Sequence, residues 1–357
     1  MKHLLALTAL LLMGSVSTAA DSTWAYHSSP IDAGFSSSGM ANLVGYVRSI
    51  DTDALVVVVD GKILWEYGRT SRINRLASAR KSVVAMIYGN YVNSGTIDLS
   101  LTLEQLGIDD IGGLLPIERR ATIQHILQAR SGVYHDRANP GDFTAFAPPR
   151  GSVEPGTYWL YNNWDFNVTG TIFEQVTGRN LYDVFNDEFA IPLEFEDWDR
   201  TKQEAAGDSS QSMHLSHQLY LSTRDMARLG ELMHNKGAWG TRQVIPESWV
   251  ETMVSPVTRH EELNPEEAQF AYSQLGYGYM WWVFDGPNNT CAFEGAYTAQ
   301  GARGQYITVL PKLHLVVAHS TFHPRLLGSA WGPRVVWDEY MELLNKLIAA
   351  KQPPACR

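Results

Sequence analysis

The strongest constraint on this chain's fold is where its strand-like runs fall. "ALVVVVDGKILWEYG" (54–68) lies near the start and "GQYITVLPKLHLVVAHS" (304–320) near the end, and each reads as strand, turn, strand. In the first, Asp60-Gly61 is a two-residue hairpin signal. Two further runs, "LGYGYMWWVF" and "CAFEGAY", read as strands beyond residue 270. Between the ends the period changes. "ATIQHILQARSG", "NWDFNVTGTIFEQVTG", "TRDMARLGELMHNKG" and "PESWVETMVSP" carry helical spacing, and three of the four end at a glycine. "MANLVGYVRSI" before the first hairpin and "VVWDEYMELLNKLIAA" near the end are also helical. One sheet built from both ends of the chain, with a helical region inserted into it, accounts for this order. The expected class is α/β: an antiparallel sheet flanked by helices, the sheet part at about 40–98 and 268–350 and the helical insert at about 99–267.

The first residues, "MKHLLALTALLLMGSVSTAADS", predict an export signal. Lys2 and His3 supply a positive start, Leu4 to Met13 are apolar but too few to span a bilayer, and Thr18, Ala19 and Ala20 offer a cleavage site. Residues 1–20 are thus read as a signal peptide, 21–350 as the catalytic domain and 351–357 as a tail, which predicts a periplasmic or secreted protein with no membrane anchor after cleavage. Losing Lys2 takes the net charge from −10 to −11, which argues against nucleic acid as a partner. The two cysteines, Cys291 and Cys356, form a candidate disulfide in an exported chain. No oligomeric state is legible.

The search for chemistry begins with exclusions. Only Ser36 and Ser209 have a glycine two residues before them, and neither has one two residues after, so no G-x-S-x-G elbow is present. His214 and His217 lack the glutamate of a zinc-binding H-E-x-x-H, and His319 and His323 flank a strand end, so no metal or cofactor is expected. "NRLASARKSVVAMIY" (74–88) is left. Ser78 and Lys81 stand at i and i+3, neighbours on a helix, with Val83, Val84, Ile87, Tyr88 and Tyr91 on one apolar face. A serine in the first helical turn has its oxygen near free backbone N–H groups, and a lysine serves as a base only in a desolvated or cation-rich setting, to which Arg80 adds. Tyr161 and Asn163, in "PGTYWLYNNWDFNVTG", supply a further proton-transfer group. Tyr88-Gly89-Asn90 and Tyr91-Val92-Asn93 share the Y-x-N spacing, but they lie along the same helix, roughly 15–20 Å from Ser78 at ~1.5 Å per residue. Tyr161 follows Pro155-Gly156 on a loop, free to reach the serine, and a lysine cation beside it would lower its ordinary pKa of about 10.

In order, "RLASARKS", "PGTYWLYNNWDFNVTG", "LSTRDMARLGELMHNKGAWGTRQVIPESWV" and "GQYITVLPKLHLVV" resemble the serine β-lactamase-related hydrolases. That group comprises class C β-lactamases, D-Ala-D-Ala carboxypeptidases and their esterase and amidase relatives, and the sequence looks nearest to 6-aminohexanoate-dimer-hydrolase-like proteins. The resemblance implies the β-lactamase/transpeptidase-like fold, acylation of Ser78 with Lys81 and Tyr161 as base and acid, and hydrolysis by water. It also implies an oxyanion hole from the backbone N–H groups of Ser78 and of Ala302, the residue after Gly301. One motif departs: in "YTAQGARGQYI", Ala299-Gln300-Gly301 stands where many relatives carry Lys or His, then Thr or Ser, then Gly. The cation for a β-lactam or peptide carboxylate is missing there, with Arg303 nearby. The expected substrate is therefore a small ester or amide. Cell-wall peptide or β-lactam hydrolysis, and a non-catalytic binding protein on the same scaffold, are the alternatives. Tyr134 would line the cleft or merely pack, and Asn163 would aim its amide at substrate or Lys81, or cap its helix. Trp159, Trp164, Trp281 and Trp282 would wall a pocket or pack in the core.

Overall fold

In the computed structural model, residues 24–352 are described, apart from 142, 264–274, 288 and 323–333. The export signal and Cys356 lie outside the described residues. Along the chain come α1 (Ser37–Val47), β1 (Ala54–Val59), β2 (Lys62–Gly68), β3 (Asn74–Arg75), α2 (Arg80–Asn93), α3 (Leu103–Leu106), α4 (Ile123–Leu127), α5 (Asn163–Thr177) and α6 (Leu181–Phe185). There follow β4 (Glu204–Ala206), β5 (Ser216–Gln218), β6 (Tyr220–Leu221), α7 (Thr223–His234), β7 (Ala238–Trp239), β8 (Arg242–Gln243) and α8 (Glu247–Val254). The chain then returns to strands in β9 (Gly276–Tyr277), β10 (Trp282–Val283), β11 (Tyr297–Gly301), β12 (Gln305–Leu310) and β13 (Leu315–Ser320), before α9 (Trp337–Ala350).

The two ends do form one antiparallel sheet, in the order β2-β1-β13-β12-β11-β10-β9. Asp60 and Gly61 turn the first hairpin with φ of 46° and 76°, the positive pair that a tight turn between twisted strands requires. β1 then pairs with β13, Ala54 opposite Ser320 and Val59 opposite Leu315, closing the sheet across the whole sequence. All six residues of β1 are buried because the sheet is covered on both sides. α7 packs on β1, β12 and β13 from one side, although it lies within the stretch read as the insert. α1 packs on α9, and α9 lays Tyr340 on Tyr306 of β12 with ring centroids 4.0 Å apart.

Three local expectations change. The helix after Ser78 starts at Arg80, with Ser78 in a preceding 3-10 turn (Ala77–Ala79), and residues 80–89 are buried on every side rather than on one face. "LGYGYMWWVF" is not one strand. β9 and β10 are two residues each, joined by a turn closed by Gly278 N–H to Trp281 O at 2.8 Å, with Met280 at φ 61°. "CAFEGAY" gives a 3-10 turn at Cys291–Phe293, and only from Tyr297 does it become β11. The middle of the chain is also less helical than its periodicity suggests: residues 128–162 hold a single 3-10 turn, Thr144–Phe146, among the described residues.

His319 on β13 ties the sheet to the β11–β12 turn. Its Nδ1–H donates to Gly304 O at 2.7 Å, and its Nε2 accepts from the Thr52 hydroxyl at 3.0 Å. Burial holds the imidazole down at about 4. An unfolded chain takes up this proton near its ordinary value of about 6.5. The contribution of His319 is therefore intact above about pH 6.5 and is lost as the pH falls towards about 4. Urea midpoints measured from pH 7 to 4 should show a fall in stability that corresponds to up to about one extra proton bound on unfolding, and His319→Gln should flatten it.

Candidate active site

The nucleophile candidate is placed by backbone contacts from three directions. Asn74 and Arg75 pair with Leu221 and Tyr220, and Leu76 N–H donates to Leu219 O at 2.9 Å. Ala77 takes φ 49°, an uncommon value for a residue other than glycine, and turns the chain into the 3-10 turn that carries Ser78. Behind that turn lies Gly301, at the end of β11. A Cβ at Gly301 would sit 2.2 Å from Leu76 O and 3.0 Å from Ala79 N, so only a bare backbone lets the strand close on the serine loop.

One turn on, Lys81 leaves α2 and ends between two hydroxyls. Its Nζ lies 3.2 Å from Ser78 Oγ and 2.6 Å from Tyr161 OH. Tyr161 sits just ahead of α5, with its carbonyl accepting from Phe143 N–H at 3.0 Å. The three side chains that the sequence singled out thus converge, with Lys81 and Tyr161 buried and Ser78 half-buried. The ammonium rests over the rings of Tyr161 and Phe166, at 4.0 and 4.3 Å from their centroids. Trp282 stacks on Tyr161 at 5.7 Å and Trp159 leans on it at 6.4 Å, so two of the four tryptophans position the phenol. Trp164 instead donates to Asp110 and Trp281 packs edge-on to Tyr297, both in the core.

Arg80 supplies a second buried cation. Its guanidinium donates to Ser216 Oγ and to Asn167 Oδ1, neutral oxygens, and no carboxylate pairs with it among the described residues. Burial lowers its pKa to about 10, and the largest opposing influence is the Tyr161 oxygen. The attraction is mutual, so the guanidinium favours negative charge on that oxygen.

Ser78 opens on a cleft of about 490 Å³, whose lining includes Arg75, Arg80, Asn163, Ala302, Arg303 and Gln305. No backbone hydrogen bond of the Ser78 or Ala302 N–H is found among the described residues, which leaves both donors for an oxyanion in the cleft. Ala299 is buried and shares with Gly301 the sheet face towards α2, while Gln300 takes the other face opposite Tyr306. The position that carries a cation in relatives is therefore a methyl group pointing inward.

Asn163 lines the cleft but is not the helix cap. Asn162 fills that role, accepting from Trp164 N–H, while Asn163 donates to Pro140 O at 3.0 Å and Asn139 O at 3.3 Å. Tyr134 is not brought to the cleft. Its hydroxyl is buried without a hydrogen-bond partner among the described residues, and burial, helped by the Asp165 carboxylate, raises its pKa. His214 and His319 are held by backbone and hydroxyl oxygens within the fold, and His217 packs beside Tyr182. Cys291 is disulfide-bonded. Sequence reasoning missed Arg75, Asn139, Gln218 and Gln305 in the cleft lining. Asn139-Pro140-Gly141 is a legible turn signal, but nothing local marks the other three.

The sheet, its covering helices and this cleft define the β-lactamase/transpeptidase-like fold. The chain belongs to the beta-lactamase family, whose model matches residues 40–323. Similar solved structures include one assigned as a 6-aminohexanoate-dimer hydrolase from Bacillus anthracis, 20% identical over 86% of this chain and 80% of that one, with a TM-score of 0.59. A beta-lactamase from Mycobacterium bovis is 16% identical over 86% of this chain and 98% of that one, at 0.59. The octameric penicillin-binding protein homologue from Pyrococcus abyssi is 16% identical over 88% and 77%, at 0.61. At these identities the likeness is one of fold.

Gly301→Ala tests how tightly the serine loop is seated. The clash is with backbone on either side of Ser78, which cannot retreat as a flexible side chain would, so the serine loop and β11 must shift relative to each other. A displacement of about 1 Å at a reacting centre costs on the order of 10²-fold in rate. Acylation of the variant by an activated ester, followed by stopped-flow, should be slower by about that factor.

Proposed function

We propose that this protein is an exported serine hydrolase that cleaves small esters or amides through a Ser78 acyl-enzyme. The observation that carries the reading is Lys81 Nζ within hydrogen-bond reach of both Ser78 Oγ and Tyr161 OH, at 3.2 and 2.6 Å. As Ser78 Oγ attacks the carbonyl carbon, its proton passes to the Lys81–Tyr161 pair, which titrates as a unit. The carbonyl π electrons become an oxyanion facing the Ser78 and Ala302 N–H groups. Collapse re-forms the carbonyl and breaks the bond to the alcohol oxygen or amine nitrogen, which leaves with the proton the pair returns. Water then attacks the acyl carbon, the pair takes the water's proton, and Ser78 recovers it as the acid departs.

Ala299 supports esters and amides over β-lactams and cell-wall peptides, since the inward position on β11 offers no cation for their carboxylate. The charged, apolar and small-residue pattern of 1–20 supports export, and a disulfide at Cys291 fits an oxidising compartment.

Purified protein should hydrolyse p-nitrophenyl acetate and butyrate, and intact mass should show an acyl adduct that Ser78→Ala removes. Tyr161→Phe should lower kcat by about 10²–10⁴-fold, the span of a lost general acid–base group. Faster turnover of a chromogenic cephalosporin than of the esters would reverse the substrate ranking. An absence of both turnover and adduct would reduce the protein to a binding scaffold.

A further inference from the structure

The chain is acidic overall, with a net charge of −10, yet the cleft beside Ser78 is lined by Arg75, Arg80 and Arg303 and, among the described residues, by no aspartate or glutamate. Arg75 is built as a recognition group. Its Nε donates to Gln218 Oε1 at 2.8 Å, which holds the plane of the guanidinium, and its two terminal amino groups have no partner among the described residues. Its side chain is exposed to the cleft rather than folded onto a carboxylate. Gln218 is in turn pinned, donating through Nε2 to Ser216 Oγ at 2.6 Å, the same oxygen that receives Arg80. A held fork with a free edge is the geometry that takes a carboxylate through two parallel hydrogen bonds.

Arg303 lines the same cleft. It occupies the β11–β12 turn at φ 73°, where glycine or asparagine is the usual occupant, and its carbonyl is fixed by Thr321 Oγ1 at 2.7 Å and Val335 N–H at 3.0 Å. Arg80, buried in the same lining, adds its charge to theirs, and low-dielectric walls concentrate the field of all three. Neither Arg75 nor Arg303 stands at position 299, where relatives place their cation.

Granting the esterase or amidase reading above, we infer that the preferred substrate carries a carboxylate of its own, taken by Arg75 together with Arg303. A neutral ester reaches Ser78 without that anchor. An anionic one is drawn in by the field and oriented by the fork.

Two matched pairs test this in the full chain: p-nitrophenyl butyrate against mono-p-nitrophenyl glutarate, and phenyl butyrate against 3-carboxyphenyl butyrate. Rates are normalised to each ester's hydroxide rate. In at least one pair the carboxylate member should show kcat/KM higher by about tenfold or more, mainly through KM, with the preference shrinking as salt is raised. Arg75→Gln should cut that ratio by about tenfold, the worth of a charge-assisted hydrogen bond, and Arg75→Lys should restore part of it. Neutral esters turned over as well as anionic ones in both pairs would overturn the inference and leave the hydrolase standing. If no ester is turned over, calorimetry of monomethyl glutarate with Ser78→Ala protein decides. Binding abolished by Arg75→Gln keeps the anion site while the hydrolase reading falls, whereas binding absent or indifferent to Arg75 sinks the site too.

Discussion

A single ammonium joins the two halves of this molecule. Lys81 belongs to α2, which runs behind the sheet, and Tyr161 belongs to the segment entering α5 of the inserted region, yet 2.6 Å separates their polar atoms. Burying a lysine is costly unless its charge is met by hydrogen bonds and polarisable faces, and here two hydroxyls and two aromatic rings surround it. The aromatic packing around Tyr161 follows from that need. Trp159 and Trp282 fix the phenol, because an ammonium stabilised at a hydrogen-bond distance is poorly stabilised an ångström further out. The insert is thereby held to the sheet at the Lys81–Tyr161 contact.

The second constraint is the seating of β11 against the serine loop. Gly301 leaves room for the backbone of Leu76 to Ala79 and for nothing more. Because the N–H groups of Ser78 and Ala302 belong to the main chain, the strand's side chains can change without removing them. Alanine at position 299 thus leaves the contact of Ser78, Lys81 and Tyr161 in place. On the reading proposed above, reaction type and substrate choice are separable for that reason, and Ala299-Gln300-Gly301 is where they come apart.

Much of this was legible in the sequence, unevenly. Asp60-Gly61 required a tight turn whatever surrounded it, and the hairpin followed. Ser78 and Lys81 were legible because three residues on a helix or a 3-10 turn bring side chains together either way, so a helix start two residues later did no harm. Tyr161 was separable from Tyr88 and Tyr91 by reach alone. Aromatic richness misled at "LGYGYMWWVF", where backbone at Met280 adopts a left-handed turn that no side-chain pattern announces. Tyr134 could line the cleft or pack as far as its loop position went, and its hydroxyl is buried with the Asp165 charge near enough to act on it. Arg75 was invisible because its meaning depends on Gln218, far along the chain and brought alongside only when β3 pairs with β6.

The electrostatics of the site follow from what Arg80 lacks. A buried guanidinium would ordinarily be neutralised by a carboxylate, and such a pair would cancel most of its field. Here the partners among the described residues are Ser216 and Asn167, which satisfy hydrogen bonds and leave the charge in place. The cost shows in the lowered pKa of Arg80, and the return is a positive potential at the Tyr161 oxygen and across the cleft floor. An anionic phenol, an oxyanion and an anionic substrate group are all favoured by that one field. Placing a carboxylate within reach of Arg80 would weaken all three together, which is the physical reason the proposed proton transfer and the proposed recognition of negative charge are compatible in one cleft.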